Sequence, residues 1–136
     1  MQKPIYKMLE EIDQLSTQKE KVQALNVHQY RDVLANIINL ALNPSIKWLL
    51  PEGDPPYKPC EFDAEGRLLV ELRRLYLFLE GGNQNLKQTK REQLFIDILE
   101  SIDPNDAKLL LNMKDKKMPF KSINKVLAKK AFPEIW

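Results

Sequence analysis

Apolar residues recur at intervals of three and four along almost the whole chain, and this helical period limits what the chain can fold into. No segment shows the sustained apolar–polar alternation that is typical of a strand. The 136 residues suit a single hydrophobic core. We therefore predict an all-α fold, a compact single-domain bundle of about seven helices spanning residues 1–136.

Capping and breaking residues predict the helix ends. A capping box begins at Thr17, and Asp103-Pro104 supplies an N-cap followed by proline at the first helical position. Gly81-Gly82 is a typical C-terminal stop. The third, fourth and fifth helices are predicted to end at about residues 42, 80 and 101. The seven predicted helices begin at about residues 4, 17, 28, 64, 89, 103 and 121 or 122.

Residues 50–63 are the longest irregular stretch, with four prolines and one glycine. Proline and glycine at this density exclude a regular helix. A linker between two domains is one interpretation. Because Tyr57 and Phe62 offer side chains that can pack, we predict an ordered surface loop within one domain.

The residues that most enzymes and metal sites need are scarce. The chain has one cysteine, Cys60, and one histidine, His28, too few for a zinc site of the usual kind or for an internal disulfide. The acidic clusters at residues 10–13 and 61–65 are read as helix-surface charge and not as a cation site. We predict a protein that is not an enzyme, with no cofactor and no metal.

The hydropathy pattern offers no membrane anchor. No apolar run approaches the ~18 residues that a spanning helix needs, and the first residues lack the apolar core of a signal peptide. A single cysteine suits a reducing compartment. The prediction is a cytoplasmic protein with no membrane contact.

Charge is concentrated near the C-terminal end. Residues 108–130 contain eight lysines and one acidic residue, Asp115, for a net charge of +7. Such a field attracts polyanions and weakens with salt. From charge alone, a nucleic-acid footprint and a solvated lysine-rich surface remain equally open.

The ends of the chain resemble a known domain. Residues 5–12 (IYKMLEEI) and 16–21 (STQKEK) resemble the start of the N-terminal helical DNA-binding domain of ATP-dependent DNA ligases, of the T-even-phage type. Residues 106–115, 122–126 (SINKV) and 132–135 (FPEI) are similar to its last two helices. The helix order and the proline-rich loop also agree, so the resemblance spans nearly the whole chain.

Two departures limit what the resemblance implies. Ligases form a lysyl-adenylate at a Lys-x-Asp-Gly motif, and no Asp-Gly pair occurs in this chain. The resemblance therefore implies the DNA-gripping part of a ligase without its catalytic body. The turn before the last helix, where the family commonly has glycine, reads Met118-Pro119-Phe120, and proline removes an amide donor there.

Together, the resemblance and the basic stretch predict a protein that grips the backbone of double-stranded DNA, mainly across the minor groove, with little sequence preference. Lysines would neutralise phosphates, and donors at the start of the last helix would add hydrogen bonds. The setting implied is phage DNA replication, repair or ligation in the host cytoplasm. A second group of contacts is expected before the fifth helix. The predicted contacts are Lys116, Lys117, Lys121, Ser122, Asn124, Lys125, Lys129 and Lys130, and in the second group Lys87, Lys90 and Arg91.

A different class of function remains as the alternative. The chain could be a small phage-type helical adaptor that binds a replication, ligase or host protein. The C-terminal residues Phe132, Ile135 and Trp136 would then anchor in a pocket of the partner. Packing of this tail against its own domain is the simpler interpretation.

Overall fold

Seven α-helices and one 3-10 helix make up the fold in the computed structural model, which describes residues 3–62, 64 and 66–136. These residues contain no strand, and an isolated antiparallel bridge joins Trp48 to Leu79. The prediction of an all-α fold with about seven helices is confirmed. The elements are α1 Ile5–Asp13, α2 Gln18–Val27, α3 Arg31–Leu42, α4 Arg67–Glu71, the 3-10 helix Leu72–Phe78, α5 Gln88–Ser101, α6 Pro104–Lys114 and α7 Lys125–Ala131.

Side-chain caps set several helix starts where the sequence predicts them. The hydroxyl of Thr17 accepts a hydrogen bond from the backbone N–H of Glu20 at 3.1 Å and begins α2. Asp103 accepts from the N–H of Asn105 at 2.8 Å and begins α6, with Pro104 in the first helical position. Both caps satisfy backbone donors that the first turn of a helix leaves unpaired.

The prediction of one continuous α-helix over residues 64–80 is wrong. Only α4 is α-helical, and the chain then tightens into the 3-10 helix. A 3-10 helix has three residues per turn, which places Leu72, Leu75 and Phe78 in one row toward the core and leaves Tyr76 53% exposed. The predicted stop at Gly81-Gly82 is also wrong, because Leu79 ends the 3-10 helix with an extended backbone and Gly81, at φ +86°, lies in the turn that follows.

Two predicted helix starts shift toward the C-terminus. His28 has an extended backbone and closes α2, so α3 begins at Arg31 instead of near residue 28. Asn124 is the N-cap of α7, which begins at Lys125 instead of at residue 121 or 122. In both places a side-chain hydrogen bond to a nearby backbone N–H ends or begins the helix, as short polar side chains often do.

Helices from before and after the proline-rich loop share one core. α1 and α3 pack on α6, and α2 and α3 pack on α7. The loop is irregular, as predicted, and lies against the later helices: the N–H of Lys58 donates to Glu100 on α5 at 2.7 Å, and Tyr57 packs against the core. Its predicted last residue, Asp63, and the predicted helical residue Glu65 lie outside the described residues. No helix in the described part of the chain is long and apolar enough to cross a membrane.

Candidate nucleic-acid interface

Arg91 is built into the scaffold and does not face solvent. The residue is 5% exposed, in the second turn of α5. We therefore withdraw Arg91 from the predicted DNA contacts, because its guanidinium already binds the turn before α5. Its hydrogen bonds reach the carbonyl oxygens of Leu77 (3.0 Å), Asn83 (3.1 Å) and Leu86 (3.3 Å) and the side chain of Gln88 (2.5 Å).

Lys116 also has an internal role. Its backbone is left-handed, at φ +60°, and its ammonium donates to the carbonyl oxygens of Leu40 at 3.0 Å and Asn43 at 2.7 Å. These carbonyls lie at the end of α3, where a cation also complements the helix dipole. Burial, together with the nearby charge of Lys125, lowers the pKa of Lys116 below its usual range. Lys116 therefore joins α3 to the turn after α6.

The two predicted polar contacts at the start of α7 also make hydrogen bonds within the protein. Ser122 donates its hydroxyl to the carboxylate of Asp13, at the end of α1, and its backbone N–H lies 3.3 Å from the same oxygen. The side chain of Asn124 accepts from the N–H of Leu127 at 2.9 Å. Ser122 therefore does not supply the phosphate donor that the sequence predicts. Asn124 uses its oxygen to cap α7 and keeps its exposed amide N–H groups as donors.

Several lysines are exposed from α6 through α7, and we call four of them the basic edge: Lys117, Lys121, Lys125 and Lys129. In the part of the chain that the structure describes, none of the four makes an ion pair or a side-chain hydrogen bond. The nearest carboxylates along the chain are occupied, since Asp115 pairs with Lys114 at 2.5 Å. The positive field of the basic edge is therefore not cancelled locally.

The other predicted basic contacts divide into two groups. Lys130 is exposed on α7, and its ammonium donates to Gln18 on α2 at 2.7 Å, a neutral partner that leaves its charge intact. Lys87 and Lys90 are exposed at the start of α5. Both are therefore accessible to a second phosphate, without the help of Arg91.

The C-terminal tail packs on its own domain. Phe132 is fully buried, and the guanidinium carbon of Arg31 lies 5.1 Å from the centre of its ring. Arg31 also pairs with Glu134 at 2.5 Å, and Trp136 is half-buried against the core. Ile135, at 39% exposure, is the predicted anchor that faces solvent. Phe132 cannot enter a partner's pocket without leaving the core, which corrects that part of the adaptor hypothesis.

A groove that the sequence did not predict lies beside the basic edge. The segment between α3 and the bridge forms one side of a groove of about 510 Å3, which we call the Trp48 groove. The neighbouring pair Lys47-Trp48, shortly after the Asn43-Pro44 helix stop, is the signal that could have drawn attention to it. No acidic side chain is among its lining residues, which are Leu42, Pro44, Ile46, Lys47, Trp48, Lys114, Lys116 and Lys125.

The single histidine and the single cysteine each make a local contact. His28 caps a turn, because its Nδ1 accepts a hydrogen bond from the N–H of Tyr30 at 3.0 Å. Cys60 lies in the proline-rich loop, with its sulfur 3.6 Å from the carbonyl oxygen of Phe62. Within residues 3–62, 64 and 66–136, no three histidine, cysteine or acidic side chains are placed to hold a metal ion.

Comparison with known proteins gives a family without an assigned activity. Residues 8–119 match the model of a family of unknown function, DUF6433. No curated protein and no solved structure matches the chain.

Proposed function

This chain belongs to the DUF6433 family, and we propose that it is a non-catalytic protein that binds duplex DNA through the phosphate backbone, with little sequence preference. The family match carries no activity, so the proposal depends on the residues of this chain. The observation that carries it is the basic edge: four exposed lysines without carboxylate partners among the described residues.

The contrast with the lysines at α1 supports this reading of the edge. The two lysines there pair with acidic neighbours: Lys3 with Glu11 at 2.6 Å and Lys7 with Glu10 at 2.9 Å. Such pairs cancel charge at the surface of α1. The basic edge keeps its charge for an external anion.

Lysine ammonium groups act on DNA as point charges. Each one that approaches a phosphate releases a condensed counterion, and this gives affinity without reading the bases. Lys125 and Lys129 are four residues apart on α7 and so lie on one face of the helix. Contacts of this kind orient a protein on the duplex and carry no sequence information themselves.

The resemblance to ligase DNA-binding domains adds the setting of the proposal: contact across the minor groove, in phage DNA replication, repair or ligation in the host cytoplasm. The adaptor hypothesis loses its main observation, because Phe132 is buried and Trp136 packs on the core. DNA binding is therefore the single function that we propose.

A salt titration of duplex binding tests the proposal. Four phosphate contacts predict that log affinity falls linearly with log salt concentration, with a slope near −3.6 from roughly −0.9 per contact. Fluorescence anisotropy of a labelled duplex, repeated with a second unrelated sequence, measures both the slope and the sequence preference. Affinity that is unaffected by salt, or absent at low salt, would contradict the proposal.

A further inference from the structure

The Trp48 groove continues the basic edge into a site with different chemistry. Building on the proposed function, we propose that this groove takes one unpaired nucleotide of a bound DNA strand, with the base against Trp48 and the phosphate between Lys47 and Lys125. The protein then prefers DNA with unpaired nucleotides over a fully paired duplex.

Trp48 is held in place before any ligand arrives. Its indole N–H donates to the carbonyl oxygen of Leu40 at 3.1 Å, which fixes the ring. The backbone on either side is tied to the end of the 3-10 helix by two hydrogen bonds, from Leu49 to Phe78 at 2.7 Å and from Glu80 to Lys47 at 2.9 Å. A pre-ordered platform loses little conformational entropy on binding.

The lining of the groove matches the two halves of a nucleotide. Apolar side chains from Leu42, Pro44 and Ile46 lie beside the half-buried indole and suit a flat base. Lysine ammonium groups at the groove suit a phosphate, and no carboxylate among the lining residues opposes it. The volume of about 510 Å3 falls in the range of small-ligand sites. Basic grooves with aromatic platforms are typical of single-stranded nucleic-acid sites.

Continuity with the basic edge decides between possible occupants. Lys125 belongs both to the edge and to the groove, so a strand held along α7 leads directly to Trp48. Lys116 adds a donor: an ammonium has three N–H groups, and two of those on Lys116 reach the carbonyls of Leu40 and Asn43. An acidic peptide would satisfy the lysines but offers no regular flat group for the indole.

Affinity for two matched DNAs provides the first test. One is a short blunt duplex, and the other is the same duplex with a few unpaired thymidines at one end. We expect the wild-type protein to bind the second roughly tenfold more tightly, the effect of one base stacked on an aromatic ring. Trp48→Ala and Lys47→Gln should both reduce this preference. Lys47→Gln should not disturb folding, because the Lys47 side chain is exposed and makes no hydrogen bond among the described residues. A loss of preference in this variant is therefore not an effect of misfolding. Lys7→Gln is the charge-matched control.

Fluorescence of the indole gives a second readout. The chain has two tryptophans, and Trp136→Phe leaves Trp48 as the single reporter. The indole N–H of Trp136 is buried without a hydrogen-bond partner in the described structure, so phenylalanine removes no bond there. Titration with oligothymidylate should quench Trp48, since the base stacks on it, and Lys47→Gln should weaken the quenching at low salt.

The outcomes separate this inference from the proposed function. Equal affinity for both DNAs with a salt slope near −3.6, at four phosphate contacts, would refute the groove assignment and leave duplex binding standing. Absence of binding to either DNA would refute both. Quenching of Trp48 by an acidic peptide, with none by oligothymidylate, would assign the groove to a protein partner and overturn the inference.

Discussion

The carboxylate of Asp106, in the first turn of α6, accepts a hydrogen bond from the backbone N–H of Tyr6 at 2.7 Å, across 100 residues of sequence. Its second oxygen lies 3.3 Å from the N–H of Ile5. Pro4, the N-cap residue of α1, makes no side-chain cap of its own. Asp106 therefore caps α1 from another helix, and it does so while fully buried.

Replacing this carboxylate should be costly. Asp106→Ala leaves the N–H groups of Ile5 and Tyr6 without their acceptor, and we expect the free energy of unfolding to fall by about 2–3 kcal/mol. Urea denaturation measures the loss. Asp97→Ala, on the exposed face of α5, is the matched control and should change stability by no more than about 0.5 kcal/mol. Equal effects of the two substitutions would show that the cap is unimportant.

Lys116→Met should destabilise the protein modestly. Methionine keeps the apolar stem but removes the ammonium that binds the carbonyls of Leu40 and Asn43. Both carbonyls keep another donor, the indole of Trp48 and the N–H of Ile46, so we expect a loss of only about 1 kcal/mol. Lys117→Met, at the exposed neighbouring position, should leave thermal unfolding unchanged; a larger shift there than at Lys116 would contradict this.

The single histidine should make stability depend on pH. Burial, and to a smaller extent the charge of Lys3, lowers the pKa of His28 below its ordinary value of 6.5. The unfolded chain therefore binds the proton more readily, so this contribution is complete above about pH 6.5 and is lost as pH falls through the lower, folded-state pKa. Protonation also removes Nδ1 as the acceptor for the N–H of Tyr30.

His28→Asn isolates this effect, because an asparagine oxygen can accept the same bond without titrating. The free energy of unfolding of both proteins is measured from pH 7.5 down to about pH 5. As pH falls, the wild type should lose stability relative to His28→Asn. A difference that stays constant across this window would exclude His28 as the source.

Any side chain at Gly82 should destabilise the protein. A Cβ built there would lie 1.8 Å from the carbonyl oxygen of Tyr76, so the turn after the 3-10 helix must move in Gly82→Ala. We expect a loss of more than about 2 kcal/mol, because the added Cβ clashes with backbone atoms that can yield only if the turn moves. Gly53→Ala serves for comparison, since it meets open space and pays only for its left-handed φ of +89°, about 1–2 kcal/mol. A larger drop in unfolding temperature for Gly53→Ala than for Gly82→Ala would contradict this expectation.

Removing two lysines of the basic edge should weaken binding to all duplexes alike. Lys121→Ala with Lys125→Ala removes two phosphate contacts, so the salt slope should flatten by about 2 units. Lys3→Ala with Lys7→Ala lowers the net charge equally at ion-paired positions and should leave the slope unchanged. If both double variants bind like wild type, the basic edge is not the DNA contact.

Local signals explain what the sequence could predict about the fold. The caps at Thr17 and Asp103 act within three residues, so their effect is visible in the sequence. The 3-10 helix is not visible in this way: Leu68 and Leu72 suit an α-helix, yet the chain adopts a 3-10 helix that packs Phe78 against Phe95 with ring centres 5.3 Å apart. That contact joins residues far apart in the chain.

The same limit applies to the candidate site. A run of lysines shows positive charge but not the use of each side chain. Lys114 and Lys116 reach carbonyls on other elements, and Ser122 reaches Asp13 on α1, partners that only the fold brings close. Lys117, Lys121 and Lys125 differ from Lys114 and Lys116 because their side chains are exposed. No pattern in the sequence predicts which lysines are exposed.

The packing of α2 against α7 has a consequence for how the chain folds during synthesis. Most of the chain separates these two helices. α2 also packs on α1 and α3, but the surface that it shares with α7 stays uncovered until the last helix is made. Contacts between such distant segments carry a large loop-closure entropy and form slowly. The N-terminal helices therefore leave the ribosome with exposed apolar surface, and chains that stop before α7 should aggregate.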